Sequence, residues 1–396
     1  MLRKNRLFTP GPTPLLPSAQ IAMASAGMHH RTAEFRALLS KTFADLKTFV
    51  GTKNDVLLLA SSGTGAMEAA VSNLTSPGER VVVLSAGKFG ERWRDLTKAF
   101  GCTVDVVSAP YGETFSVGAV REKLDGARVV FVQATESSTG ARHYVQAIAR
   151  LLKGTDTLLV VDAITGLGTT RFDVDGWGID MLIGGSQKAV MVPPGLAYLS
   201  VSERAWERMA TAKQPRYYFD LRKERKAAAN GESAFTPATA LVAALAAAMD
   251  FIRQMGEGNL ATGRDALIRN AAVSAEMTRE AVKAMGLELY SPTCPADALT
   301  AVAPPNGLDS GVLVKAFREN FGAVVANGQG EMKGKMFRIA HLVYYDYLDT
   351  IGILGALEHV MAEAVRPKHI EYGTGLKAAQ LAYSRLSAAG EQTAFA

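Results

Sequence analysis

Cysteine is scarce in this chain: among 396 residues only Cys102 and Cys294 occur, far apart and without partners at metal-ligand spacing. That excludes a disulfide framework and a cysteine-held structural metal, and it leads us to expect a reducing, cytoplasmic setting. Long apolar runs are also missing. Residues 238–249 form the longest, alanine-rich and short of the roughly 20 apolar residues that cross a bilayer. The basic start, Met1-Leu2-Arg3-Lys4-Asn5-Arg6, runs directly into Leu7-Phe8-Thr9-Pro10-Gly11-Pro12 with no apolar segment, so no secretory leader is expected. Charge of one sign is not concentrated either. The net charge of +5 is dispersed without a basic block, which argues against nucleic acid as a partner while suiting an anionic cofactor and acidic substrates.

What is present describes an ordinary globular enzyme: 48% hydrophobic and 20% charged residues suffice for two or so domains with a sizeable core. Seven short apolar runs, at 56–60, 81–84, 103–107, 129–132, 158–161, 181–183 and 196–201, are mostly β-branched and lack period-2 polarity. They predict an α/β fold whose large, mostly parallel seven-stranded sheet is buried on both faces by helices. Residues 32–50 place Phe35, Leu38, Leu39, Phe43, Leu46 and Phe49 at helical spacing, with Gly51 as the stop. From about residue 236 the pattern turns to long helices through 285, then to short strands and helices at 299–303, 311–320, 337–341 and 348–364. A connecting helix and a smaller α+β domain follow from that change. A weak amphipathic helix at 376–386 lies in a tail for which the sequence offers no functional reading.

The chemistry centres on Lys188. It closes Gly184-Gly185-Ser186-Gln187-Lys188 and follows the aspartate of Val160-Val161-Asp162 by 26 positions. An amine and a carboxylate at the carboxyl ends of neighbouring strands suit pyridoxal 5'-phosphate, the lysine holding the aldehyde and the aspartate keeping the ring nitrogen protonated. Ser61-Ser62-Gly63-Thr64-Gly65 lies between the first apolar run and a helical pattern beginning near Ala66, where glycines allow close approach and a helix N-terminus supplies donors for a phosphate. Each has a bland counterpart: a solvated lysine, a turn-forming aspartate, a common small-residue loop. Their convergence favours the cofactor site.

At these residues the chain resembles the fold-type I, class V pyridoxal phosphate aminotransferases, particularly the alanine–glyoxylate, serine–glyoxylate and serine–pyruvate group. The likeness runs from Thr9-Pro10-Gly11-Pro12 to about residue 364 and includes Ala66-Met67-Glu68-Ala69-Ala70, Glu136-Ser137-Ser138-Thr139-Gly140, Val161-Asp162 and Gly185-Ser186-Gln187-Lys188. The resemblance implies that Ser62, Gly63 and Thr64 hold the phosphate, Ser137 meets the ring hydroxyl, Phe89 stacks on the ring, and Ile164 and Gln187 complete the cofactor's surroundings. By the same token Arg338 binds the substrate carboxylate, with Ser137 and Gly11 beside it, and Thr236 reaches the phosphate of a neighbouring subunit in a homodimer with shared sites. Read alone, Phe89 suits a core position and Arg338 an internal salt bridge; a guanidinium also offers a carboxylate a bidentate fork. The chain is expected to divide into an N-terminal segment (1–15), a large cofactor-binding domain (16–258), a small domain (259–365) and an extension of unknown role (366–396).

The chain departs from the family pattern in two places. Thr64 stands where some relatives have histidine, and Ser233 near a position where some place a tyrosine on the phosphate. Residues 216–225, with Tyr217, Tyr218, Arg222, Lys223 and Arg225, suit either a ligand-facing stretch or a solvated or dimer-facing loop. The expected activity moves an amino group from alanine or serine to glyoxylate or pyruvate. Alternatives are a related enzyme for an aminophosphonate or ureido donor, a cysteine desulfurase using Cys294, and a non-catalytic interaction subunit.

Overall fold

The computed structural model describes residues 3–25, 27–305, 307–342, 344–364 and 370–394, with side chains as far as 388. The expected junction between small domain and extension, at 365 and 366, lies outside the described residues.

All seven expected strands form, and they belong to one sheet. They are β1 (Asp55–Leu59), β2 (Arg80–Ser85), β3 (Thr103–Ser108), β4 (Val129–Gln133), β5 (Leu158–Asp162), β6 (Met181–Gly185) and β7 (Ala197–Val201), in the spatial order β1-β7-β6-β5-β4-β2-β3. β7 alone runs in the direction opposite to the other six, so that both of its pairings, with β1 and β6, are antiparallel. The missing polar alternation has a direct cause. Val82, Leu84, Val130, Val132, Leu159 and Val161 pack into one core, while the intervening Val81, Val83, Val129, Phe131, Leu158 and Val160 pack into a second on the opposite face. Both faces of these central strands are dry, so their mid-strand positions must be apolar, while polar residues fall at strand ends and on the edge strand β3.

Helix α1 (Ala33–Val50) opens on Thr32, whose hydroxyl accepts the Phe35 N–H, and ends at Gly51 in the left-handed conformation at φ 78°. These are the cap and stop its sequence requires. Helix α2 (Gly63–Leu74) begins three residues earlier than the expected Ala66, because Ser62 adopts extended N-cap geometry and the small residues after it fit the first turn. Helix α3 (Lys88–Ala99) follows β2. The long helical stretch after 236 divides at Gly256-Glu257-Gly258-Asn259 into a helix Thr239–Met255 and α4 (Leu260–Ala284), the latter capped by the Asn259 side chain.

A second, antiparallel sheet follows, in which β8 (Leu299–Ala303) pairs with β9 (Phe337–Ala340), flanked by Glu288–Leu289 and Ala326–Asn327. The N-terminal segment joins the two sheets. Arg6–Leu7 pairs with Ala323–Val324, Phe8 accepts the Ala340 N–H at 2.9 Å, and Thr13 and Leu16 then donate to the carbonyls of Gln187 and Met191. The final helix, α5 (Thr374–Ala394), packs along α4 and contributes Ala379 and Ala382 to the core of the second sheet. It is anchored by Glu358, 2% exposed, whose carboxylate accepts the backbone N–H groups of Gly373, Gly375 and Leu376 at 2.7 to 3.0 Å. An anion at a helix N-terminus meets both the free donors and the positive end of the dipole.

Glu358→Ala leaves those three donors unpaired, and we expect it to lower unfolding free energy by about 2–4 kcal/mol, read by chemical denaturation. Unchanged stability would show that α5 is held by its apolar contacts alone.

Candidate active site

Parallel strands deliver their carboxyl ends to one edge, and the site is built there. Register places Gln133, Asp162 and Ile183 level on β4, β5 and β6, so the turns after these strands emerge side by side. Asp162 ends β5 and Lys188 lies three residues past β6. Helix α2 starts after β1, and α3 starts after β2.

Lys188 is 8% exposed, and its Nζ donates to the Pro10 carbonyl. Burial pushes its amine down to about 8 from an ordinary 10.5; Asp162 opposes the fall and Arg338 adds to it. Asp162, 5% exposed, accepts the Ile164 N–H at 2.9 Å on Oδ1. Burial pushes its carboxyl up to about 6, against that hydrogen bond and the charges of Lys188 and Arg92. Desolvation thus draws both groups toward neutrality, and each would be recharged by a suitable partner. Gly11 explains why no side chain is tolerated beside the amine. At φ +109°, a Cβ there would stand 2.5 Å from Lys188 Nζ.

At the α2 N-terminus, a Cβ on Gly63 would run into Ile164 Cδ1, so the glycine and the isoleucine fill one another's space. Ser62 is exposed, and Thr64 Oγ1 accepts Arg92 Nη1 at 3.1 Å. Gln187 carries a buried Oε1 with no hydrogen-bond partner. Ser137 is 3% exposed and its carbonyl accepts Arg338 Nη1 at 2.7 Å. The other Arg338 terminus, Nη2, donates to the Asn327 carbonyl at 2.5 Å, while Nε is buried and unpartnered. No carboxylate within 4 Å pairs with this guanidinium among the described residues, so the internal salt bridge weighed above is not found. Burial lowers Arg338 to about 10, with Glu136 opposing.

Phe89 is not a core residue. Partly exposed, it stacks beneath the Arg92 guanidinium at 4.8 Å from ring centroid to Cζ. Its backbone is set by Glu136, which is fully buried and accepts the N–H groups of Phe89, Gly90 and Ser138, the Ser138 hydroxyl and the Gln133 amide. Thr236 stands apart. It is exposed, beside Phe235 and Pro237 in a small pocket that includes Leu59 and Ala60, and no hydrogen bond ties it to Ser62, Gly63 or Thr64 of its own chain among the described residues. Ser233 donates to the Phe235 carbonyl within its own loop. The 216–225 stretch is mixed: Arg216 turns inward to the carbonyls of Ser72, Met209 and Ala212, Tyr217 and Tyr218 are exposed, and residues from Leu221 form a helix. Cys294 is buried at 2% exposure with its thiol on Ser291 and Gly112, unlike the mobile exposed thiol a desulfurase needs.

Sequence reading missed Arg92 and the hub role of Glu136. The one available signal was the spacing of Phe89 and Arg92, three apart on a helix and therefore neighbours on its surface.

The class-V aminotransferase family matches residues 18–306, and the chain belongs to it. It is 39% identical to the soluble hydrogenase small subunit of Synechococcus, over 92% of this chain and 94% of the relative. It is 32% identical to the L-aspartate–glyoxylate aminotransferase of Paracoccus denitrificans over the whole of both chains. Among solved structures, an aspartate aminotransferase of subgroup IV from Thermus thermophilus superposes with a TM-score of 0.84 at 35% identity, covering 91% of this chain and 100% of that one. This chain is thus a pyridoxal phosphate-dependent aminotransferase of fold type I. Its residues fit that cofactor: a depressed amine for the aldehyde, a buried carboxylate, a helix N-terminus opened by glycine, and an unpartnered glutamine oxygen and arginine nitrogen.

The pH dependence of the amine follows from its burial. Lys188 should become reactive toward a carbonyl as pH rises through about 8, well below the ordinary lysine range, because the neutral form is the nucleophile. Borohydride trapping of pyridoxal on the cofactor-free protein, followed by peptide mapping, would measure this; a midpoint near 10 would contradict it.

Proposed function

We propose that the enzyme transfers the amino group of a small amino acid, alanine or serine, to a small 2-oxo acid, glyoxylate or pyruvate, in two half-reactions. The observation that carries the reading is the grouping of Lys188, Asp162 and a buried Arg338 with no carboxylate within 4 Å among the described residues. When bound, pyridoxal phosphate supplies an electron sink that makes the substrate's α-proton removable. The protein supplies the rest. With the cofactor bound, Lys188 would hold its aldehyde, and its neutral amine would be the base placed to take up and return the substrate's α-proton. Asp162 keeps the ring nitrogen protonated. The N–H groups and hydroxyls at Ser62, Gly63 and Thr64 receive the phosphate. Phe89 and Ile164 hold the ring, and Ser137 and Gln187 its polar edge. Arg338 takes the substrate carboxylate and so orients the bond to be broken, with Gly11 keeping the approach open.

Thr236 of the partner subunit completes the phosphate site in a cytoplasmic homodimer. Exposure of Thr236 on its own chain and the free state of both cysteines support this reading; no described helix is long and apolar enough to cross a membrane. Residues 16–258 would carry the cofactor and 259–365 the substrate arginine. The name of the Paracoccus relative supports glyoxylate as acceptor. Its donor, and that of the Thermus enzyme, is aspartate, so a dicarboxylic donor is the second reading. The hydrogenase name of the Synechococcus relative belongs to that protein. A purely structural subunit would have no use for the buried trio.

Titrating the loaded protein with alanine, serine, aspartate, cysteine and an aminophosphonate while following its visible absorption tests the assignment. One donor should bleach the band, with glyoxylate restoring it; no change with any donor would defeat the reading. Arg338→Ala should raise KM for every donor by about tenfold or more while cofactor stays bound, whereas parallel loss of cofactor would make Arg338 structural.

A further inference from the structure

We propose that Arg92 is a cofactor-positioning residue, its guanidinium lodged between the Phe89 ring and the Thr64 hydroxyl to supply the cation of a phosphate site whose other donors are neutral. The inference rests on the reading that the α2 N-terminus receives the phosphate. The donors there are backbone N–H groups and the hydroxyls of Ser62 and Thr64, none of them charged. A phosphate monoester brings about −1.5 to −2 charges, and a helix terminus offsets only about half of one.

Arg92 is the cation the geometry offers. Nη1 lies 3.1 Å from Thr64 Oγ1 in the first turn of α2, and Cζ lies 4.8 Å over the Phe89 ring. The neighbouring acids on its own helix are engaged elsewhere. Glu91 pairs with Lys88 at 2.9 Å and accepts the Tyr111 hydroxyl, while Asp95 pairs with Arg94 at 2.8 Å. No carboxylate therefore lies within 4 Å of Arg92 among the described residues. A cation left unneutralised beside a small-residue helix start is a receptor for an anion, and stacking on Phe89 holds the planar fork in one orientation before the anion arrives. Its charge also reaches Asp162, lowering that carboxyl. One guanidinium thus touches both the platform for the ring and the turn for the phosphate, which fixes the distance between them.

The test compares wild type, Arg92→Gln and Arg92→Lys, all freed of cofactor, by titration with pyridoxal phosphate and with pyridoxal, which lacks the phosphate, and by competition with inorganic phosphate. Arg92→Gln should weaken pyridoxal phosphate about ten- to a hundredfold, leave pyridoxal within about threefold, and abolish phosphate competition. Arg92→Lys should recover part of the loss, since it keeps the charge without the fork. Equal weakening of both ligands, with a lower Tm of the free protein, would make Arg92 merely structural and overturn the proposal. Undiminished pyridoxal phosphate affinity with a raised KM for aspartate alone would assign Arg92 to the substrate instead and overturn it equally. Failure of the wild type to bind pyridoxal phosphate would defeat the functional reading itself, a result distinguishable from either.

Discussion

An amine, a carboxylate and a guanidinium share one buried edge of this molecule, and their mutual charge governs what can be done there. Removing an ion from water costs several kcal/mol even after relaxation, so buried charges normally occur in compensated pairs. Here compensation is incomplete. Lys188 and Asp162 partly neutralise each other, both drawn toward their uncharged forms, while among the described residues Arg338 is stabilised by two carbonyl oxygens and by the more distant Glu136. A bound group that brings a basic ring nitrogen to the aspartate, an aldehyde to the amine and, with substrate, a carboxylate to the arginine satisfies all three.

The dry parallel sheet is what makes that arrangement possible. Because alternate residues of β4 and β5 enter two different cores, neither strand can slip by one position without exchanging whole faces. Asp162 and the turn leading to Lys188 therefore emerge at fixed heights. Glu136 extends the same precision to α3: by receiving the N–H groups of Phe89 and Gly90 it fixes where that helix starts, and through Ser138 it fixes the loop whose carbonyl, at Ser137, takes Arg338. The buried anion is stabilised by these donors, and the donors are positioned by the anion.

This explains what could be read from the sequence and what could not. The seven strands were legible because continuous β-branched runs have few other uses, and Lys188 and Asp162 because each sits at the end of such a run. Helix α1 was legible from its apolar spacing and Gly51. The start of α2 was misplaced by three residues, since Gly63-Thr64-Gly65 carries no apolar signal and only the N-cap geometry of Ser62 draws the helix back. Arg92 and Glu136 were invisible as site residues for a different reason. Their roles depend on side chains from α2, α3 and the hairpin after β4, in which Thr135–Glu136 pairs with Ala141–Arg142, meeting in space, and nothing local marks that meeting. The anchoring of α5 was equally hidden, because Glu358 lies in the helix Tyr347–Ala364, at least 15 positions from the N–H groups it accepts.

The N-terminal segment shows how the two sheets are made to act together. It pairs with Ala323–Val324, takes a hydrogen bond from the strand bearing Arg338, presents the Pro10 carbonyl to Lys188, and then donates through Thr13 to the carbonyls of Gln187 and Lys188. A substrate whose carboxylate met Arg338 and whose α-carbon lay beside Lys188, as proposed above, would bridge both sheets, and the separation of those two side chains would then have to be held closely for the α-bond to be aligned. A strand addition and a run of backbone hydrogen bonds spanning the gap supply that constraint without placing a side chain in it. Gly11, where a Cβ would collide with the amine, marks the point at which this tie passes closest to the chemistry. The same segment that couples the sheets thus also limits the space available beside the lysine, and substitutions along it should act on alignment even where they touch neither cofactor nor substrate.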